Sequence, residues 1–140
     1  MENLLQILSK FSLLIDAGLV VLIWMVQLII YPSFLYYKKS NLIKWHQKYT
    51  TQIAIIVVPL MSIQLIYGFL VTFNNPILTH FIYLLTVVFL WGFTFLSFAP
   101  IHFKISEGIV KKSMLKKLNY RNWIRTFLWT FVLILHLFFS

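Results

Sequence analysis

Four long apolar runs occupy most of the 140-residue chain. They cover positions 11–35, 50–73, 77–100 and 122–139. A helix needs about 20 apolar residues to cross the hydrocarbon core of a bilayer, and each run reaches or nearly reaches that length. Since 61% of the residues are hydrophobic and only 11% are charged, a soluble domain of this size could not bury the apolar surface. The sequence therefore predicts one all-α domain over 1–140, an up-down bundle of four transmembrane helices.

The positive charge is concentrated in two of the three connections between these runs. Eleven of the twelve Lys and Arg residues lie within 38–48 or 104–125, whereas the middle connection, FNNPILTH, has none. Short cytoplasmic loops of membrane proteins are enriched in Lys and Arg. We therefore expect a plasma-membrane protein with the first and third connections in the cytoplasm and both termini outside. The lysines and arginines then determine the orientation of the helices in the membrane, and no other basic surface is left to bind a nucleic acid.

A basic segment precedes the last apolar run. In EGIVKKSMLKKLNY, residues 107–120, the apolar side chains of Val110, Met114 and Leu118 recur at helical spacing between lysines. This pattern is typical of an amphipathic helix that binds the anionic lipids of the inner leaflet. We predict a short basic helix of this kind between the third and fourth transmembrane helices, with membrane lipids as its partners.

Polar and aromatic side chains gather at the cytoplasmic ends of the four runs, which an up-down bundle brings to one membrane face. They are Trp24, Gln27, Tyr31, Trp45, His46, Trp91, His102, Asn122, Trp123 and Arg125. Asn122 and Arg125 are one helical turn apart, on a face that continues to His136. A charge near mid-bilayer costs about 2.5–3.5 kcal/mol when it faces lipid. We therefore expect this face to point into the bundle.

These residue types suit proton transfer on an apolar substrate. Arg125 and Asn122 would stabilise an oxyanion or enolate, and His46 or His102 would accept a proton near neutral pH. The side chains expected to hold a flat hydrophobic ligand are Trp24, Gln27, Tyr31, Trp45, Trp91 and Trp123. The sequence favours an enzyme that acts on an aromatic or lipidic small molecule by proton abstraction, and these residues predict no cofactor; oxidation is implied only by the resemblance described below. The sequence names no substrate.

Other interpretations stay open. Trp and Tyr are common at membrane interfaces, and Arg125, one turn inside its helix, could extend its guanidinium to the headgroups. A haem could lie between the histidines, although no two histidines share a helix at metal-binding spacing. The chain could also be a non-catalytic binding protein, or a transport or assembly subunit whose missing walls a homo-oligomer supplies. Thiolate chemistry is excluded because the chain has no cysteine.

A smaller group of polar residues lies towards the outer ends of the apolar runs. It consists of Asp16, Gln64, His80 and His136. An unpaired carboxylate inside a transmembrane helix is costly, and pairing of Asp16 with His136 or Lys10 would relieve that cost. The alternatives are a carboxylate that reaches water near the start of its helix and a member of a proton relay.

Three short motifs resemble those of the anthrone-oxygenase-like family of small four-helix membrane proteins, most of whose members have no assigned function. They are W-x-x-Q-x-x-x-YP at 24–32, FAPIH at 98–102 and N-W-x-R-T-x-x-W at 122–129. In that family a proline and a polar residue close helix 3, and Asn-His-x-Arg-Thr opens helix 4. The matching residues here are Pro100, His102, Asn122, Arg125 and Thr126.

The resemblance implies the four-helix fold. It also permits the activity of anthrone oxygenases, the oxidation of a polycyclic aromatic by dioxygen without a metal or flavin. Trp123 stands where the family often has histidine. If that histidine accepts the proton in the family, His102 or His46 would have to do so here.

Overall fold

The computed structural model describes residues 2–140. Four long helices follow one another: α1 (Glu2–Tyr36), α2 (Lys39–Asn74), α3 (Leu78–Ser106) and α4 (Lys112–Phe139). All four are long and apolar enough to cross a membrane, and the described residues contain no strand. The predicted all-α bundle is confirmed, and the chain is a multi-pass membrane protein.

The helices form a closed ring in chain order. Each packs against its neighbours in sequence, and α4 also packs against α1. Because the connections are only a few residues long, successive helices run in opposite directions. We call the end with the connections 37–38 and 107–111 the basic end. The other end, with the connection 75–77 and the end of α4, is the terminal end.

The basic segment after residue 107 is not a separate amphipathic helix, which corrects the prediction. Gly108 adopts a φ of 90° in the connection, a conformation that glycine tolerates. Lys112 then begins α4, which runs without a break to Phe139. The amphipathic pattern is present, since Leu115 and Leu118 are buried while the lysines of the segment are exposed. The two helices merge because no proline or glycine interrupts the chain between them.

Two of the spanning helices change geometry towards the basic end. α1 contains a π-helical segment at Val26–Ile30, and α3 contains one at Thr94–Phe98. Each segment ends two residues before a proline, Pro32 or Pro100. Proline cannot donate to the carbonyl four residues earlier, and the wider π turn re-aims the side chains that follow. Those side chains belong to the site described below.

Outside the π-helical segments, α1 and α3 consist of α-helix and one 3₁₀ turn. α1 is α-helical at Glu2–Met25 and Tyr31–Ser33 and ends in a 3₁₀ turn at Phe34–Tyr36. α3 is α-helical at Leu78–Phe93 and Ala99–Ser106.

The outer surface of the bundle is apolar and its interior is partly polar. Large side chains such as Leu14, Leu96 and Phe138 are exposed, as expected of a surface that faces lipid. Inside, α2 and α3 approach closely at Gly68, where a Cβ atom would meet the Tyr83 ring at 3.3 Å. Small residues permit this close packing between membrane helices.

Candidate functional site

Polar side chains from all four helices meet near the basic end, and all of them are buried except His102, which is half-buried. They are Gln27 and Tyr31 of α1, His46 of α2, His102 of α3, and Asn122 and Arg125 of α4. His46 and Asn122 are fully buried and Arg125 is only 7% exposed. The face of α4 from Asn122 to His136 points inward, as the sequence predicts. The guanidinium therefore lies inside the bundle rather than among the headgroups.

A row of hydrogen bonds leads from the bundle interior towards the surface of the basic end. The Tyr31 hydroxyl lies 3.0 Å from Nε2 of His102, whose Nδ1 lies 2.7 Å from Nε2 of His46. Nδ1 of His46 in turn lies 3.1 Å from the hydroxyl of Ser106, a half-buried residue at the end of α3. We call Tyr31, His102, His46 and Ser106 the histidine relay.

Arg125 is held by neutral groups. Its Nε and Nη2 donate to Oδ1 of Asn122 at 2.9 and 2.7 Å, and Nη2 also donates to the Tyr31 hydroxyl at 3.1 Å. The guanidinium carbon lies 3.7 Å from the centre of the Phe98 ring. Among the described residues no carboxylate forms a salt bridge with Arg125. Its positive charge is thus buried without an opposite charge beside it.

One edge of this guanidinium remains available. Nη1 makes a single long contact, 3.4 Å to the hydroxyl of Thr94. A guanidinium carries five N–H donors, two of them on Nη1. Arg125 also lines a cavity, so it can donate to an oxygen atom of a molecule bound there.

Asn122 is fixed from the other side by a second set of hydrogen bonds. Its Nδ2 donates to Oε1 of Gln27 at 2.9 Å, and Gln27 donates to Oδ1 of Asn119 at 2.9 Å. Thr126 also donates to Gln27, at 3.2 Å. These bonds set the orientation of the Asn122 amide, with Oδ1 towards Arg125. Gln27, predicted to bind the ligand, therefore positions Asn122 and Arg125 instead of lining the cavity.

The cavity beside Arg125 has a volume of about 400 Å³, within the range of about 300–1,000 Å³ that is usual for small-molecule sites. Tyr31, His102 and Arg125 form its polar part, and the remaining walls are mostly apolar. It reaches the outer surface between α2 and α3, where the lining residues Ala54 and Ala99 are exposed. Lipid-facing helices flank this opening, so the cavity is accessible from the side of the bundle.

The four tryptophans predicted to hold a ligand do not line this cavity. Trp24 donates to Thr130 and packs edge-on against Trp123, whereas Trp91 donates to the carbonyl of Met61. Trp45 is 39% exposed. The aromatic residues in the cavity wall are Tyr31, Tyr49, Phe95, Phe98, Phe103 and Trp129.

Sequence reasoning missed most of this aromatic wall. Trp129 could have been assigned to it, because it shares the inward face of Asn122 and Arg125. The phenylalanines carried no such signal, since the chain contains 14 phenylalanines and every apolar run has at least two of them. Ser106, the outer member of the histidine relay, lies in the basic connection region and also had no distinguishing pattern.

Haem ligation would disturb the histidine relay. The imidazoles of His46 and His102 are stacked, with ring centres 4.9 Å apart, and hydrogen-bond to each other. An iron atom could bind the bonded nitrogen of either ring only after that hydrogen bond had broken. The geometry therefore favours proton transfer between these imidazoles over shared ligation of a metal.

At the terminal end, three of the four outer polar residues form a second buried group. Asp16 pairs with His136 and also accepts a hydrogen bond from Gln64. His80 is separate and bonds to the carbonyl of Asn75. Of the two predicted partners for Asp16, the structure therefore contains His136.

No protein-family model, curated protein or solved structure matches the chain. Fold and site together define its class. It is a four-helix multi-pass membrane protein with a laterally open cavity, an internal arginine and a pair of hydrogen-bonded histidines.

Proposed function

We propose that the chain is a membrane-embedded enzyme that removes a proton from a hydrophobic molecule carrying an enolisable carbonyl or a phenolic hydroxyl. One observation carries the proposal. The Tyr31 hydroxyl, at the cavity wall, is shared between Arg125, which can stabilise negative charge, and the histidine relay, which can carry a proton away.

The substrate oxygen would lie against the free edge of Arg125. Removal of a proton converts a ketone to an enolate, whose negative charge resides largely on that oxygen. A preorganised cation stabilises such a charge far more in a water-excluded site than in water. Arg125 lacks a carboxylate partner, so no internal anion competes with the substrate. The apolar walls and the opening between α2 and α3 suit a molecule that enters from the bilayer.

The proton would leave through the histidine relay. Arg125 can only donate, so the Tyr31 oxygen accepts from it, and the Tyr31 hydrogen is available to Nε2 of His102. As Tyr31 takes the substrate proton, it passes its own hydrogen to His102. His102 then passes the hydrogen on its Nδ1 to His46, and His46 passes one towards Ser106. One proton enters at the substrate and one leaves at the basic end.

Oxidation would be a second step, and the family resemblance supports it. An enolate of a polycyclic ketone can transfer electrons to dioxygen. For an anthrone, one dioxygen molecule would oxidise the ring methylene to a carbonyl, giving the quinone and one molecule of water. Dioxygen is the oxidant in this step and the protein supplies the enolate.

The proton-transfer step can be tested without dioxygen. The purified protein in lipid nanodiscs would be incubated with anthrone in D₂O under argon, and deuterium at the acidic methylene measured by mass spectrometry. We expect wild type to accelerate exchange. Tyr31→Phe should slow the accelerated exchange about 100-fold or more, a usual contribution of general acid–base catalysis. Tyr36→Phe, on the same helix but 90% exposed, is the matched control and should exchange like wild type.

The outcomes separate the hypotheses. Anthrone that binds to wild type without faster exchange would indicate a non-catalytic binding protein. Absence of both binding and exchange would refute the proposed substrate class. Exchange that is equally fast in Tyr31→Phe would refute the assigned proton route.

We further propose that the membrane is the plasma membrane and that the basic end faces the cytoplasm. The distribution of lysine and arginine supports this orientation. The substrate would then enter from the cytoplasmic leaflet, and the histidine relay would release its proton to the cytoplasm.

A further inference from the structure

The buried polar group at the terminal end contains a carboxylate, an imidazole and a hydroxyl in a row. Oδ2 of Asp16 lies 2.5 Å from Nδ1 of His136, and Nε2 of His136 lies 3.4 Å from the hydroxyl oxygen of Ser9. Ser9 and Asp16 are seven residues apart on α1, and the packing of α4 against α1 brings His136 to both of them. The proposed proton transfer at the basic end uses none of them.

The two ring nitrogens of His136 have different partners, and this fixes their roles. A carboxylate only accepts hydrogen bonds, so Asp16 holds the imidazole hydrogen on Nδ1. Nε2 is then unprotonated in the neutral ring and faces the Ser9 hydroxyl. This is the arrangement in which histidine acts as the base for a serine nucleophile. The distance of 3.4 Å is long, as catalytic hydrogen bonds often are in the absence of substrate.

Both Asp16 and His136 are held rigidly. The carboxylate accepts hydrogen bonds from Gln64 at 2.6 Å and from the Tyr83 hydroxyl at 3.0 Å. The imidazole stacks nearly parallel to the rings of Tyr67 and Phe139, at 18° and 17°. Asp16 and His136 are both fully buried. A carboxylate out of water needs such donors, and the stacked rings keep Nε2 directed at Ser9.

Ser9 itself is accessible. It is half-buried and lines a second cavity, of about 610 Å³, that opens at the terminal end. Lys10 and Asn75, which also line this cavity, carry N–H donors that can stabilise an oxyanion. Because Lys10 is exposed and its ammonium group belongs among the headgroups, Ser9 lies near the boundary of the hydrocarbon. The ester groups of glycerolipids lie at the same depth.

We propose that Ser9, His136 and Asp16 form a nucleophilic triad that cleaves carboxylic esters of membrane lipids. The Ser9 oxygen attacks the ester carbonyl while its proton passes to Nε2 of His136. The carbon–oxygen bond to the alcohol breaks, and the alcohol leaves with that proton. Water then attacks the acyl-serine, gives one proton to His136 and releases the carboxylic acid. That proton returns to Ser9, so the triad is restored and the net reaction is ester plus water to acid plus alcohol.

A fluorophosphonate probe tests the nucleophile directly, because it forms a stable adduct with activated serines. Wild type in nanodiscs should gain one adduct, mapped to Ser9 by peptide mass spectrometry, and should hydrolyse a 4-methylumbelliferyl fatty-acid ester. Ser9→Ala should lose both. Ser12→Ala is the matched control, since Ser12 is one turn further along α1, buried and without a hydrogen-bond partner. It should react like wild type.

The role of the base is tested by His136→Gln, which should slow labelling about 100-fold or more. Circular dichroism serves as the folding check for each variant, and Ser9→Ala and His136→Gln should keep the helix content of wild type. A wild type without an adduct, an adduct that persists in Ser9→Ala, or a folded His136→Gln that labels at the wild-type rate would each overturn the triad. Any of these results would leave the proposal for the basic-end cavity intact.

Discussion

At the scale of single residues, the unusual feature is a buried arginine whose partners are an amide, hydroxyls and an aromatic ring. Asn122 provides most of the support, because its Oδ1 accepts from both Nε and Nη2 of Arg125. An aspartate at position 122 would have nearly the same side-chain shape as asparagine and would add a negative charge. The charge state of residue 122 therefore decides whether Arg125 is free to attract an anion.

We predict that Asn122→Asp weakens binding of a phenolate. The new carboxylate would pair with Arg125, and an anionic ligand would lose its electrostatic advantage. A visible titration of a hydroxyanthraquinone into nanodiscs at a pH where it is ionised should give a Kd at least about tenfold higher, equivalent to about 1.4 kcal/mol. Anthracene, which has no charge, should bind as before. Asn41→Asp, at an exposed position, is the control; a phenolate affinity equal to wild type in Asn122→Asp would contradict the role of Arg125.

At the scale of helices, the two π-helical segments set the direction of the site residues. In α3 the N–H of Ala99 bonds to the carbonyl of Thr94, five residues earlier, as the π geometry requires. Pro100 follows and cannot supply the N–H that would bond to the carbonyl of Leu96. His102 lies half a turn further on and reaches both Tyr31 and His46.

We predict that Pro100→Ala disrupts the histidine relay without unfolding the bundle. Alanine restores the missing N–H, so the π turn can relax to an α-helix and rotate His102 by about 100°, the angle per helical residue. Anthrone exchange should fall at least about tenfold, while circular dichroism shows unchanged helix content. Pro59→Ala is the matched control, because Pro59 lies on the exposed side of α2, which is regular throughout. Wild-type exchange in Pro100→Ala would show that the π turn is not required.

At the scale of the whole molecule, the distribution of lysine and arginine supports the proposed orientation of the bundle, and this orientation would place the two sites on opposite sides of the membrane. The basic end contains the cavity of Arg125, and the terminal end contains Asp16 and Ser9. In the proposed orientation, the two proposed activities would act in opposite leaflets. The same chain would act on one class of molecule from the cytoplasmic side and on lipid esters from the outer side.

We predict opposite accessibility of the two ends. The chain has no cysteine, so Asn75→Cys and Glu107→Cys each introduce a single thiol at an exposed position. A membrane-impermeant maleimide should label residue 75 in intact cells and residue 107 only in inverted vesicles. Labelling of residue 107 in intact cells would reverse the proposed orientation.

The sequence allowed part of the site to be predicted from residue types. Asn122 and Arg125 were identifiable because they share one helical face and because a charge in lipid is costly. His46 and His102 were identifiable as polar residues at the same end of neighbouring helices. Tryptophan was a misleading signal for the ligand-binding residues, because tryptophan is common both at membrane interfaces and in binding pockets. The direction of its side chain also depends on the rotation of the helix. The direct contact between His46 and His102 could not be predicted, because it depends on the π turns.

What the sequence by itself determined is the architecture: the lengths of the apolar runs require four spanning helices, and short connections require their antiparallel order. Only the tertiary structure decided which side chains meet. Hydrophobicity acts over whole segments and is insensitive to a rotation of one helix. A hydrogen bond, by contrast, depends on a few tenths of an ångström and on the direction of each donor. The pairing of His136 with Asp16 and Ser9, and of Arg125 with Tyr31, is therefore a property of helix rotation and packing.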